Sequence, residues 1–273
     1  MSLISENIVK IKEDFVKSYT GKSHIQEVLP IQKTDFLSID QKHLSLLHQF
    51  MENNPIYYQT VDIELCGIQC RVFEGDLNQF WIDSIKHDTS YAPFYPTWLL
   101  SAYSLALESR NIGYSQLIDV GSGDGRIAFC GKIVGLKSYS IEIDEQLSNL
   151  QNDIAKNTTI ELTIINDDAT ITGFNKLNLT NPIFFIGGLP ENGEMLADSI
   201  IKNISNLSEL QKTSCFALTG SLAKRKFDKK QPNYGWDTTI RKFNLTTIKT
   251  INLPTYWTMD QPFVTPYIFT KQS

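Results

Sequence analysis

Between Leu117 and Ile127 the chain reads Leu-Ile-Asp-Val-Gly-Ser-Gly-Asp-Gly-Arg-Ile, an apolar run that meets three glycines at alternate positions. Glycine at Gly121, Gly123 and Gly125 lets the backbone approach a ligand that a Cβ would exclude, and lets the first amides of a following helix face it. The dinucleotide pattern G-x-G-x-x-G needs glycine at position 126, where this chain has Arg126. Asp119 puts a carboxylate at the end of the apolar run. That charge suits a ligand carrying an ammonium or sulfonium and repels a pyrophosphate; its other use is to satisfy backbone amides of the turn. Two more acids follow. Glu142 ends the next apolar run, KSYSIE, where a carboxylate can accept two hydrogen bonds from a ribose diol. The run after that ends in Asn166-Asp167-Asp168-Ala169, and a carboxylate there can reach the exocyclic amine of an adenine or cap the next helix.

Partners for a cation, a ribose and an adenine, in that order, describe S-adenosylmethionine (SAM). The segments DVGSGDGRI, IEID and NDDA resemble the first three motifs of the class I SAM-dependent methyltransferases, over roughly residues 90 to 270. The resemblance implies SAM as cofactor, held by Asp119, Gly121, Ser122, Gly123, Asp124, Gly125, Glu142, Ile143, Asp168, Ala169 and Gly187. The family's acid-then-alanine pattern selects Asp168 over Asp167. Upstream, Tyr91-Ala-Pro-Phe-Tyr-Pro-Thr97 adds Tyr91 and Thr97 to that set. This lead-in together with GSGDGRI is similar to the archaeal protein-lysine methyltransferases and, more distantly, to the histone-lysine methyltransferases that lack a SET domain. The stretch Leu189-Pro-Glu-Asn-Gly-Glu-Met-Leu196 is similar to that group's Asn-Glu-Met-Leu region, with Gly193 interrupting the Asn-Glu pair. Residues 1–90 have no counterpart in the short archaeal enzymes. The implied activity is direct in-line methylation of a protein lysine, with RNA, a small molecule, or an inactive SAM-binding scaffold as alternatives.

The catalytic candidates are Tyr91, Tyr95 and Glu191. The tyrosines can close over the methionine end of the cofactor, excluding water and offering an electron-rich wall to the sulfonium, or they can pack as plain core. Glu191 is either an orienting acid or an exposed loop carboxylate. The sequence names no general base. After the fourth strand, Gly187-Gly188-Leu189-Pro190 replaces the Asn/Asp-Pro-Pro-Tyr/Phe motif of adenine N6 methylation, and no cysteine pair serves a covalent cytosine mechanism.

These residues need strand ends to hold them. From Ser90 the pattern alternates: helix Trp98 to Arg110, strand SQLIDV, helix Ile127 to Val134, strand KSYSIE, helix Asp144 to Lys156 and strand ELTIIN. A short connection with Phe174, strand PIFFIG, helix Glu194 to Asn203 and strand TSCFALTG follow. Strands alternating with helices build a parallel sheet covered on both faces. KFNLTTIKTINLP and PFVTPYIFTKQ then form an antiparallel pair. The expected class is α/β, a Rossmann-like, seven-stranded, mostly parallel sheet with an antiparallel C-terminal strand pair and an N-terminal α+β extension. Residues 1–89 read as that extension, shaping substrate access, and residues 90–273 as the methyltransferase domain. In the extension, Ile8, Ile11 and Phe15, then Phe36, Leu44, Leu47 and Phe50, recur at helical spacing, with SYTGKSHIQEVLPIQ looser between them. IYYQTVDIELCGIQCRVFEGDL reads as a hairpin broken at Gly67, and Asn78 to Lys86 as one or two helical turns.

Composition bounds the alternatives. The 273 residues are 41% hydrophobic with a net charge of -5, which argues against a non-specific nucleic-acid binder. Lys224 to Lys230, KRKFDKK, is the one basic concentration, either a contact for RNA or an acidic protein or a solvated charge run. No apolar run approaches the roughly 18 residues of a membrane span. The start, MSLISENIVKIKEDF, lacks a secretory signal, so a cytoplasmic protein without a membrane partner is expected. Cys66, Cys70, Cys130 and Cys215 have no zinc-ligand spacing and read as reduced thiols, and His24, His43, His48 and His87 form no metal pattern.

Overall fold

Apolar side chains that alternate along each strand have to be buried on both faces of a sheet, and the computed structural model shows how helices cover both. It describes residues 3–80, 94–221, 233–254 and 264–272. In chain order, α1 (Leu3–Ser18), β1 (Ile25–Pro30), α2 (Gln41–Glu52), β2 (Tyr57–Leu65) and β3 (Ile68–Gly75) make the N-terminal part. Then follow α3 (Leu99–Asn111), β4 (Gln116–Val120), α4 (Arg126–Ile133), β5 (Lys137–Glu142), α5 (Glu145–Thr158), β6 (Thr163–Asn166) and β7 (Pro182–Ile186). The chain ends with α6 (Pro190–Ser205), α7 (Ser208–Gln211), β8 (Cys215–Thr219), α8 (Asp237–Lys242), β9 (Leu245–Pro254) and β10 (Val264–Gln272).

The main sheet has the order β6-β5-β4-β7-β8-β10-β9. Its strands pair in parallel from β6 across to β8, while β10 is antiparallel to both β8 and β9. The fold is therefore the expected Rossmann-like, mostly parallel seven-stranded sheet. Alternation sorts the core: Leu117, Ile183, Phe185 and Ala217 join the cluster that α1 to α5 bury, and Ile118, Phe184, Phe216 and Leu218 join the one under α6, α7 and α8. The smaller antiparallel sheet, β1-β3-β2, shares the first cluster through Val28, Val72 and Phe73.

The structure corrects four local expectations. The segment between the first two helices holds β1, buried along its whole length, so IQEVLP pairs with β3 although its two polar residues hide the strand signal. Helix α2 starts at Gln41, after Phe36, because the Asp40 side chain caps it by accepting the amides of Lys42 at 2.8 Å and His43 at 3.4 Å. Helix α6 starts at Pro190, four residues before Glu194, where proline loses no intrahelical bond at the first position. Helix α8, short and polar, was not foreseen. Residues 81–86 of the expected helical turns, Tyr91, and the basic run 224–230 lie outside the described residues. No helix among the described residues is long and apolar enough to cross a membrane.

Phe184 anchors the second cluster, fully buried with the rings of Phe174 and Phe216 at 5.5 and 5.7 Å. Phe184→Ala is expected to cost about 3 to 5 kcal/mol in urea unfolding. A loss below about 1 kcal/mol would show that the sheet is not the packing centre.

Candidate functional site

The strand order reverses between β4 and β7, and in open parallel sheets a ligand crevice opens at such a point, beyond the carboxyl ends of the strands. A cavity lies there. The glycine loop forms its floor, with Gly121, Gly123 and Gly125 all at positive φ, +67°, +59° and +77°. A Cβ on Gly123 would sit 2.2 Å from Cε2 of Phe94, so this residue must be glycine for the Phe94 ring to lie against the loop. The amide of Gly121 donates to Ile141 O at 3.0 Å, which ties the loop to β5. From α5, Gln151 Nε2 donates to Gly123 O at 2.6 Å and to Ser122 Oγ at 3.0 Å, and Ser140 Oγ reaches Ser122 Oγ at 2.6 Å.

The three strand-end acids converge on this cavity. Asp119 is buried, and its Oδ2 accepts the Ala128 amide at 3.2 Å in the first turn of α4. Burial pushes its carboxyl well above the usual carboxylate range; the Ala128 amide opposes this, and the nearby Asp124 and Glu142 add to it. Glu142, 7% exposed, accepts the Gly123 amide at 2.7 Å through one oxygen and the Asp144 amide at 3.0 Å through the other. Its carboxyl is also pushed up by burial, against the pull of those two amides. Asp167 and Asp168 both line the cavity. Asp168 Oδ1 accepts the Thr170 amide at 2.8 Å and its hydroxyl at 2.7 Å, and Asp167 Oδ2 accepts the Thr172 hydroxyl at 3.0 Å. Both therefore also shape their own turn, while the next helix, Phe174–Lys176, has Gly173 as its N-cap and takes no side-chain cap from either.

Across from the acids, the end of β7 and the start of α6 form the second wall. A Cβ on Gly187 would come within 3.0 Å of Gly121 O, so the two strand ends touch backbone to backbone. Leu189, Asn192, Gly193 and Leu196 continue this wall, and Phe185, Thr219 and Tyr267 close it from below. Of the expected site residues, Asp119, Gly121, Ser122, Gly123, Asp124, Glu142, Ile143, Asp168, Ala169, Gly187, Tyr95 and Thr97 line the cavity. Gly125 does not, because it turns the chain into α4 as that helix's N-cap. Glu191 does not either; it is exposed in the first turn of α6. Tyr91 lies outside the described residues. Sequence reasoning missed Phe94, Leu196 and Tyr267, which stand in the lead-in, inside α6 and inside β10, with only an apolar or aromatic side chain as signal.

No protein-family model matches the chain, and no curated protein matches it. Solved structures do match. MtNAS in complex with MTA and tNA aligns at 10% identity over 64% of this chain with a TM-score of 0.45, and this chain spans 61% of its length. The precorrin-6y C5,15-methyltransferase from Geobacter metallireducens GS-15 aligns at 15% identity over 71% of this chain and 99% of its own, TM-score 0.46. The glycopeptide N-methyltransferase MtfA, complexed with (S)-adenosyl-L-methionine, aligns at 10% identity over 63% and 94%, TM-score 0.45. At these identities the likeness is one of architecture.

The burial of Asp119 makes a pH prediction. A carboxyl whose folded pKa lies above its unfolded one binds its proton more tightly in the folded state, so its contribution to stability is greatest at low pH and falls as pH rises above the ordinary carboxylate range. Asp119→Asn keeps an acceptor for Ala128 and removes the charge. The variant's ligand-free Tm should exceed the wild type's at neutral pH, with the gap closing towards pH 4. A gap that widens on acidification would contradict the assignment.

Proposed function

We propose that the chain is a class I SAM-dependent methyltransferase. The observation that carries the reading is the convergence of Asp119, Glu142 and Asp168, from the ends of three adjacent strands, on one cavity floored by a glycine loop at positive φ. The donor set fits the cofactor. Each oxygen of Glu142 already accepts one backbone amide, and a carboxylate has about four acceptor sites, so two remain for a ribose diol. Asp119 offers negative charge to an ammonium or sulfonium, and Asp168 an acceptor to an amine. When bound, the cofactor supplies a methyl group on a good leaving group, so the chain's task is alignment in a dry site. Phe94, Tyr95 and Thr97 wall the cavity on one side, and Leu189 and Leu196 on the other.

The acceptor we infer is an amine, a protein lysine. The supporting observation is the charge of the lining: its described residues include Asp119, Asp124, Glu142, Asp144, Asp167 and Asp168, and Arg126 is their only basic member. Arg126 is itself bonded to Asp124 and Glu27. An acidic, partly apolar cavity suits a basic side chain better than a phosphate backbone. A lysine, with a reference pKa of about 10.4, must lose its proton before attack, and the apolar wall disfavours the ammonium.

Three measurements test these readings. In calorimetry, S-adenosylhomocysteine is expected to bind with a Kd on the order of micromolar and NAD to give no signal. NAD binding in place of S-adenosylhomocysteine would contradict the cofactor. Incubating labelled SAM, the protein and whole lysate should place label in lysine side chains, and label confined to RNA or small molecules would overturn the acceptor. Glu142→Ala should weaken S-adenosylhomocysteine about ten- to a hundred-fold. Unchanged affinity would remove Glu142 from the ribose.

A further inference from the structure

Arg126 occupies the position where a dinucleotide loop would have glycine, and its side chain is among the largest of the fully buried ones in the described residues, at 2% exposure. Each of its five N–H groups has an acceptor. Nε meets Asp124 Oδ1 at 2.9 Å, and Nη2 meets Asp124 Oδ2 at 2.6 Å and the Tyr57 hydroxyl at 3.1 Å. Nη1 donates to Thr97 O at 2.6 Å and to Glu27. The ring of Phe50 lies 5.9 Å from the guanidinium carbon.

What surrounds this arginine comes largely from the first 80 residues. Glu27 stands on β1 and has no exposed surface. One oxygen takes Arg126, and the other accepts the Leu99 amide at 2.8 Å, which caps α3 where Trp98 offers no side-chain cap. Asn54 donates to Asp124 Oδ2 at 3.0 Å while its own carbonyl accepts the Ile56 amide at 3.2 Å. Tyr57 begins β2. Thr97, Asp124 and Arg126 in turn line the cavity. A loop with three left-handed glycines has much conformational freedom of its own, so its shape is set by what holds it. Glu142 and Gln151 hold it from β5 and α5, and Asp124 and Arg126 hold it from the N-terminal part.

We propose that Glu27 is a positioning residue. Through Arg126 and Asp124 it holds the glycine loop in the shape that receives the cofactor, which makes the N-terminal segment part of the cofactor site. The proposal rests on the reading of the cavity as a SAM site. Removing the charge of Glu27 leaves Arg126 buried with one carboxylate instead of two, and an under-compensated buried ion moves towards other partners or water. Burial also pushes the Glu27 carboxyl up to about 7, with Arg126 and the Leu99 amide opposing. A proton therefore competes with Arg126 for Glu27 near neutrality. The groups facing Glu27 are Arg126, Asp124, Tyr57 and, less directly, Cys130.

The test compares wild type, Glu27→Gln and Tyr57→Phe on the full chain, by S-adenosylhomocysteine calorimetry from about pH 6 to pH 8.5 and amide exchange of residues 121–125 without ligand. Wild-type affinity should rise with pH through about 7, as Glu27 ionises and engages Arg126. Glu27→Gln should bind about tenfold more weakly at the upper end and lose that step, the part due to Asp119 remaining, while its loop amides exchange faster. Tyr57→Phe, which deletes one edge contact, should weaken binding about threefold and keep the step. A folded Glu27→Gln protein with wild-type affinity, pH profile and loop exchange would overturn the proposal. Should Glu27→Gln fail to fold, wild-type exchange and affinity in Tyr57→Phe would overturn it. A wild type that binds no S-adenosylhomocysteine would instead overturn the cofactor reading, and loop exchange in the variants would still judge the positioning role.

Discussion

A glycine loop in left-handed conformation has little stiffness of its own, and the site depends on two buried carboxylates that fasten it from opposite directions. Glu142 accepts the Gly123 amide at 2.7 Å, which fixes the middle of the loop to the end of β5. Asp124, within the loop, is clamped by Arg126 and Asn54. With both in place, the amides of Gly121 and Ser122 bond β5, that of Gly123 bonds Glu142 and that of Ala128 bonds Asp119, so the loop is fixed beside the ends of β4 and β5. The backbone contact between Gly187 and Gly121 then sets the distance between floor and far wall. Each device works because it is dry, since a carboxylate in water would gain little from one amide.

The same dryness concentrates negative charge. Asp119, Asp124, Glu27 and Glu142 are all buried, and Arg126 is the buried cation set among them. Burial raises the carboxyls of Asp119, Glu27 and Glu142, which means the protein surroundings alone oppose their ionisation. A cationic ligand reverses that preference. Stability measured without ligand and affinity for a sulfonium or ammonium ligand should therefore respond to pH in opposite directions, the first falling and the second rising as the acids ionise. This opposition follows from the placement of charge and does not depend on which acceptor is methylated.

Much of the architecture was legible because apolar runs that end in an acid or a glycine are the signature of parallel strands. SQLIDV, KSYSIE and PIFFIG read correctly for that reason, and the acids Asp119, Glu142 and Asp168, the last after ELTIIN, led to the cavity. Strand β1 was hidden because Gln26 and Glu27 interrupt its apolar run; both are buried, Gln26 on the nearby Ser23 and Glu27 on Leu99 and Arg126, which are distant in sequence. Arg126 was read for the glycine it displaces. Its five acceptors come from β1, β2, the lead-in and the loop itself, and no local pattern could have brought them together. Glu191 was read as either an orienting acid or an exposed loop carboxylate; proline opens α6 and leaves Glu191 exposed in its first turn, outside the cavity lining. What the sequence withheld was tertiary: which polar residues are buried, and against what.

The central claim is that the strand-end acids read one cofactor in sequence. A crystal structure of the complex with S-adenosylhomocysteine tests it most directly. The ribose diol should lie within hydrogen-bond distance of Glu142, the amino-acid end beside Asp119 and the glycine loop, and the adenine amine at Asp167 or Asp168. A ligand with its ribose on another residue, or one bound outside the β4–β7 crevice, would contradict the account.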